Sequence, residues 1–200
     1  MSRSGVFTSV AAVLLALPAA AQAHLVTSGL GPFYDGALHL LLSPGDLLGL
    51  VAAALLAGLR GARAGRLTVI ALPMCWLLAG MIGLRLPVAP DLTWLSVLSF
   101  MILGVLVAAD TRLPAVAAAS LGGAYGALHG LLNGTALAAM GAGPSTLFGI
   151  VLTVFLLALL TAAAVVPARA LWARVAVRVA GSWVVAVGML MLGWLAQGAA

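Results

Sequence analysis

The sequence predicts an all-α polytopic membrane protein, a six-transmembrane-helix bundle that follows a cleaved N-terminal signal peptide. Three observations predict it. Apolar residues make up 64% of the chain and charged residues only 6%, with a mean hydropathy of +1.26, whereas soluble domains carry roughly a quarter charged residues. Six long apolar runs follow a shorter one at the N-terminus. The arginines fall unevenly in the connections between those runs, as they do where basic residues set membrane topology. No soluble fold hides this much apolar surface, so the solvent around the helices is lipid.

The N-terminal run reads as an export signal. Arg3 supplies a positive start, Gly5 to Leu17 an apolar stretch too short to span, Pro18 a break, and Ala21-Gln22-Ala23 a cleavage site. Residues 1–23 form the signal peptide and His24 becomes the mature N-terminus; an uncleaved anchor is the other reading. Both put residue 24 outside the cytoplasmic membrane.

Residues 24–200 then form a single six-helix transmembrane domain. The spans are expected at about 44–60, 67–86, 92–109, 113–134, 145–166 and 174–196, each near the roughly 20 residues that cross the hydrocarbon. Short connections make neighbours antiparallel. With residue 24 outside, the inner connections hold Arg60, Arg63 and Arg66, then Arg112, then Arg169 and Arg174, while Arg85 alone lies outside. That agrees with the positive-inside rule and puts the C-terminus outside as well. The expected location is the bacterial cytoplasmic membrane.

Before the first span, Ser43-Pro44 breaks the chain, because a residue preceding proline avoids helical angles. A short outer half-helix is expected at about 33–42, then the first span with Pro44 at its first position. A half-helix meeting a span at a break exposes backbone groups to an ion. Ser43 and Asp46 have the spacing of a capping box; Asp46 either caps only or also handles an ion.

Ionisable groups inside membrane helices cost about 2.5–3.5 kcal/mol each at the centre, so their positions point to sites. There is no glutamate; the carboxylates are Asp35, Asp46, Asp91 and Asp110. The topology carries His24, His39, Asp46, His129 and Asn133 to one depth at the outer side, which chain order does not require. In the fourth span Gly122, Gly126, Gly130 and Gly134 recur every four residues, a small-residue stripe that admits a close neighbour. Tyr125, His129 and Asn133 form a polar stripe beside it. Asp91 is expected to cap the third span. Asp110 and Arg112 are expected to pair or stay solvated. Arg85 either reaches the outer interface or balances Asp46 or Asp91. The lone Cys75 excludes an internal disulfide framework and is expected to pack.

Other function classes are excluded or weak. The net charge of +5 sets nine basic residues, all arginines, against four aspartates; the arginines are scattered between apolar runs rather than gathered on one face, so no nucleic-acid surface is expected. No phosphate-binding glycine loop, H-E-x-x-H or G-x-S-x-G motif occurs. An enzyme and an organic cofactor are therefore not expected. Imidazole and carboxylate together suit a divalent transition metal. Such an ion gains about 4.6 kcal/mol per 100 mV on moving inward, so ligands at the outer side fit uptake. The alternative is a membrane subunit or assembly factor whose polar residues only join helices.

The residues resemble the HupE/UreJ family of small membrane proteins, which includes nickel and cobalt permeases. The likeness lies in the signal ending before His24, the six-helix plan, the run from Gly36 to Leu48 containing His39 and Asp46, and His129-Gly130. The family's pattern looks like H-P-x-x-G-x-D-H-L-L, with the His and Asp taken as metal-handling. Here His39 and Asp46 are one residue further apart, Leu47 stands for the later His, and Asn133 stands where a second His and a Glu are usual. The resemblance implies secondary uptake of nickel or cobalt. It also implies a link to a metalloenzyme maturation system, as for hydrogenase or urease.

Overall fold

A computed structural model describes residues 27–86, 88 and 90–198. The signal peptide and His24 lie outside the described residues. Those residues form seven α-helices: α1 (Pro32–Leu42), α2 (Pro44–Leu59), α3 (Ala62–Gly83), α4 (Thr93–Ala108), α5 (Ala115–Ala139), α6 (Pro144–Val165) and α7 (Leu171–Gly198).

Proline and glycine punctuate them. α1, α2 and α6 each begin with proline in the first turn, where the missing N–H has no intrahelical partner to lose. Ser43 is extended, as its place before Pro44 dictates, and α1 and α2 meet there at 77°. Gly61, at a φ of +99°, turns the chain sharply enough that α3 starts at Ala62, five residues earlier than expected. Arg63 and Arg66 therefore ride on the first turns of α3, both exposed, where long basic side chains lie along apolar surface with their heads in water. Asp35 anchors the chain entering α1 by accepting from the Ser28 backbone N–H and hydroxyl, each at 2.6 Å.

Four helices, α3, α5, α6 and α7, are each long and apolar enough to cross a bilayer. The bent α1–α2 pair passes the same test jointly. At 16 residues, α4 is about 24 Å long, short of a hydrocarbon core of about 30 Å. Large apolar side chains such as Ile70, Leu78, Leu160, Trp183 and Leu190 point outward, as lipid-facing residues do. The chain is a multi-pass membrane protein.

Packing follows the small residues. Along α5, a Cβ at Gly122 would meet Thr68, and Cβ atoms at Gly126, Gly130 and Gly134 would run into the carbonyls of Leu72, Trp76 and Gly80. Both partners step by four residues in the same direction, so α3 and α5 run parallel and touch backbone to backbone. The glycine stripe is this seam. Glycines make two further crossings: Gly36 and Gly149 bring α1 onto α6, and Gly104 and Gly181 bring α4 onto α7. Without a hydrophobic drive between helices in lipid, such close van der Waals contact is what holds them.

One end of the bundle is clasped. Asp110 accepts from Arg60 and, at 2.6 Å, from Arg174, and Arg178 donates to the Ala108 carbonyl at 2.9 Å. Asp110 thus ties the α2–α3 connection and the first turn of α7 to its own loop. Its sequence neighbour Arg112 is exposed and takes no part. Burial pushes the Asp110 carboxyl up, but the Arg174 hydrogen bond and both guanidinium charges outweigh it, leaving the group below the ordinary carboxylate range.

Candidate metal site

At the other end, the first turn of α2 meets the second half of α5. Asp46 projects from α2, and Tyr125, His129 and Asn133 project from α5 at four-residue spacing, which aligns them on one face. His129 Nδ1 lies 2.6 Å from Asp46 Oδ1. The Asn133 amide nitrogen donates to Asp46 Oδ2 at 2.9 Å and to the His129 carbonyl at 2.9 Å. Both its partners are acceptors, so the amide orientation is fixed by the network. His129 is 1% exposed and the Asp46 side chain 13%.

The capping box does not form. The Ser43 hydroxyl donates back to the His39 carbonyl at 2.7 Å, and no side chain caps α2. Both oxygens of Asp46 are taken by α5 instead. The Ser43 N–H that a capping box would use already donates to the Leu40 carbonyl at 3.2 Å at the end of α1, so the local partner is taken and the carboxylate turns to the imidazole and amide of α5.

Three residues complete the surroundings. The Tyr125 ring stacks on His129 with centroids 4.0 Å apart. Its hydroxyl donates to the Asp46 carbonyl at 2.9 Å and also reaches the Gly45 carbonyl at 3.1 Å, pinning α5 to the start of α2. On the imidazole's far side, Ser99 Oγ of α4 lies 3.0 Å from His129 Nε2. The Trp76 ring of α3 sits with its centroid 5.9 Å from that of His129. Two buried atoms here have no hydrogen-bond partner among the described residues: Asn133 Oδ1, an acceptor, and Trp76 Nε1, a donor.

The structure thus joins Asp46, His129 and Asn133 and leaves His39 apart. His39 is half-buried in the last turn of α1, and its ring is not among the groups bonded to Asp46, His129 or Asn133. Among the described residues, no three His, Cys, Asp or Glu side chains are grouped to hold a metal ion. The donors available at the cluster are one carboxylate, one imidazole nitrogen and one amide oxygen. Oxygen and imidazole donors suit borderline divalent cations.

The remaining candidates fall into ordinary roles. Asp91 accepts from the Thr93 N–H at 3.2 Å and hydroxyl at 2.9 Å, at the start of α4. Arg85 is exposed and, among the described residues, pairs with neither Asp46 nor Asp91. Cys75 is half-buried against Gly123 in the α3–α5 seam.

Sequence reasoning missed Ser99, Trp76, and Gly49, whose missing side chain admits the Tyr125 ring. The available signal was Ser96 and Ser99 themselves, two hydroxyls in the body of a helix that is otherwise apolar after Thr93.

Comparison with known proteins gives one match. The sequence model of the family described as HupE / UreJ protein matches residues 12–191, nearly the whole chain. No curated protein matches, and no solved structure does.

Proposed function

The chain belongs to the HupE/UreJ family, and from that premise we propose that it is a secondary permease that takes up a divalent transition-metal ion, nickel or cobalt, from the outer side of the membrane. In this reading α2 to α7 are its six spans, α1 is an outer half-helix, and residues 1–23 are a signal peptide cleaved on export. The protein sits in the bacterial cytoplasmic membrane with both mature termini outside. It is not an enzyme and holds no organic cofactor.

The observation that carries the reading is the pairing of a buried His129 with a part-buried Asp46, 2.6 Å apart. A carboxylate and an imidazole held in apolar surroundings are costly to keep, and a cation between them would repay both. Asp46 supplies charge, His129 Nδ1 a borderline nitrogen donor, and Asn133 Oδ1 a neutral oxygen that no group among the described residues satisfies. So few ligands hold an ion weakly enough to release it, which a carrier needs. His39 and His24 would make first contact further out.

A second reading, a non-transporting accessory protein for a metalloenzyme, draws on a different observation. Asp46, His129 and Asn133 already bond to one another, as polar residues do when they serve only to join helices. Nickel and cobalt accumulation in cells separates the two. The permease reading expects uptake that His129→Ala abolishes at matched membrane levels. Absence of uptake by the unaltered protein would leave the accessory role.

A further inference from the structure

We infer that Ser99 is a positioning residue that selects Nδ1 of His129 as the nitrogen offered to the metal. The inference rests on the reading of His129 as a ligand, but its geometry stands independently.

The Ser99 hydroxyl has one proton. Its oxygen lies 2.7 Å from the Ser96 carbonyl, a group that only accepts, so the proton lies there. The same oxygen lies 3.0 Å from His129 Nε2. With its proton committed, Ser99 Oγ faces the ring as an acceptor, and Nε2 must carry the hydrogen between them. Nδ1 is left as the nitrogen directed at Asp46 Oδ1, 2.6 Å away; a contact that short between two acceptor atoms holds a proton, and that proton is the one a metal at Nδ1 displaces.

A metal-bound imidazole behaves in this way: one nitrogen meets the ion and the other donates to a fixed acceptor, which sets the tautomer and the ring's angle. Ser99 supplies the acceptor from α4, with its proton held by the Ser96 carbonyl of the same helix. Tyr125 fixes the plane of the ring by stacking, and Ser99 fixes which edge faces Asp46. Loss of the hydroxyl frees the ring to turn over, presenting Nε2 to Asp46 or dividing between the two.

The test uses the full chain in lipid vesicles. Histidines are labelled with nitrogen-15, the His129 signals are assigned by their loss in His129→Ala, and the spectrum is taken without metal. The unaltered protein is expected to show a protonated Nε2. Ser99→Ala is expected to change the His129 ring signals, and Ser99→Thr, which keeps the hydroxyl, to restore them. In uptake assays with nickel chloride, Ser99→Ala should raise KM about tenfold or more with little change in maximal rate, and Ser99→Thr should recover most of it. A bare Nε2 in the unaltered protein, or His129 signals untouched by Ser99→Ala, overturns the inference. A changed spectrum with an unchanged KM overturns it too, because the hydroxyl then orients a ring that does not hold the ion. Should the unaltered protein take up neither nickel nor cobalt, the permease reading fails, and the nitrogen spectra still decide what Ser99 does to the ring.

Discussion

Gly49 and Tyr125 compete for one volume: a Cβ on Gly49 would lie inside the space filled by the Tyr125 ring. The helix carrying Asp46 approaches α5 closely only because position 49 has no side chain. Gly49→Ala should therefore push Tyr125 off its stack with His129 and loosen the α2–α5 junction. The expected loss is about 1–3 kcal/mol, the usual range for overpacking a core, together with loss of metal uptake. Thermal unfolding in detergent measures the first. Adding Tyr125→Ala to Gly49→Ala should relieve the collision, and a double variant no more stable than Gly49→Ala would show that the crowding lies elsewhere.

Asp46→Asn tests the carboxylate without removing a cap, since Asp46 caps nothing. Membrane levels should stay near normal while nickel and cobalt accumulation falls to background. Accumulation equal to that of the unaltered protein would reduce Asp46 to a helix-joining residue.

Gly126→Leu places a branched side chain where the Leu72 carbonyl sits. Two backbones in contact cannot both move aside, so the seam should fail before any chemistry is affected. The expected outcome is low yield and early melting, by several kcal/mol in rough terms. Leu at Gly193, which has open space around it, is the control and should express normally.

The Asp110 clasp should be sensitive to acid. Its folded-state pKa is lowered, so its contribution is fully present above the unfolded value of about 3.9 and is lost as pH falls below it through the folded value. An acid titration followed by tryptophan fluorescence should show destabilisation beginning below about pH 4. Asp110→Asn should remove that component and cost about 1–3 kcal/mol at neutral pH, between an exposed and a buried pair. An acid profile identical in both proteins would assign the effect to another group.

Much of the helix plan was legible because proline and glycine act locally. Pro44 extends Ser43 whatever lies beyond, and the four-residue glycine repeat announced a close partner. The polar stripe on α5 was legible for the same reason, as spacing alone aligns Tyr125, His129 and Asn133. What the sequence withheld were choices between partners. Ser43 and Asp46 have the spacing of a capping box, yet Asp46 bonds across to α5, a residue span of 83 to His129. Asp110 lies beside Arg112 but pairs with Arg60 and Arg174. Ser99 meets His129 only because α4 lies against α5 at that level, and no local pattern encodes which helices become neighbours.

The α3–α5 seam also bears on how the chain is assembled as it emerges from the ribosome. α3 is complete long before its partner exists, and α4 must be threaded between them in the order of synthesis. Until residue 134 is in the bilayer, the face of α3 made by Leu72, Trp76 and Gly80 has only lipid against it. Helices that insert singly and associate afterwards tolerate such a wait. A chain cut before Ala115 should therefore insert α3 but leave it without its docking partner, a substrate for the membrane's quality-control proteases.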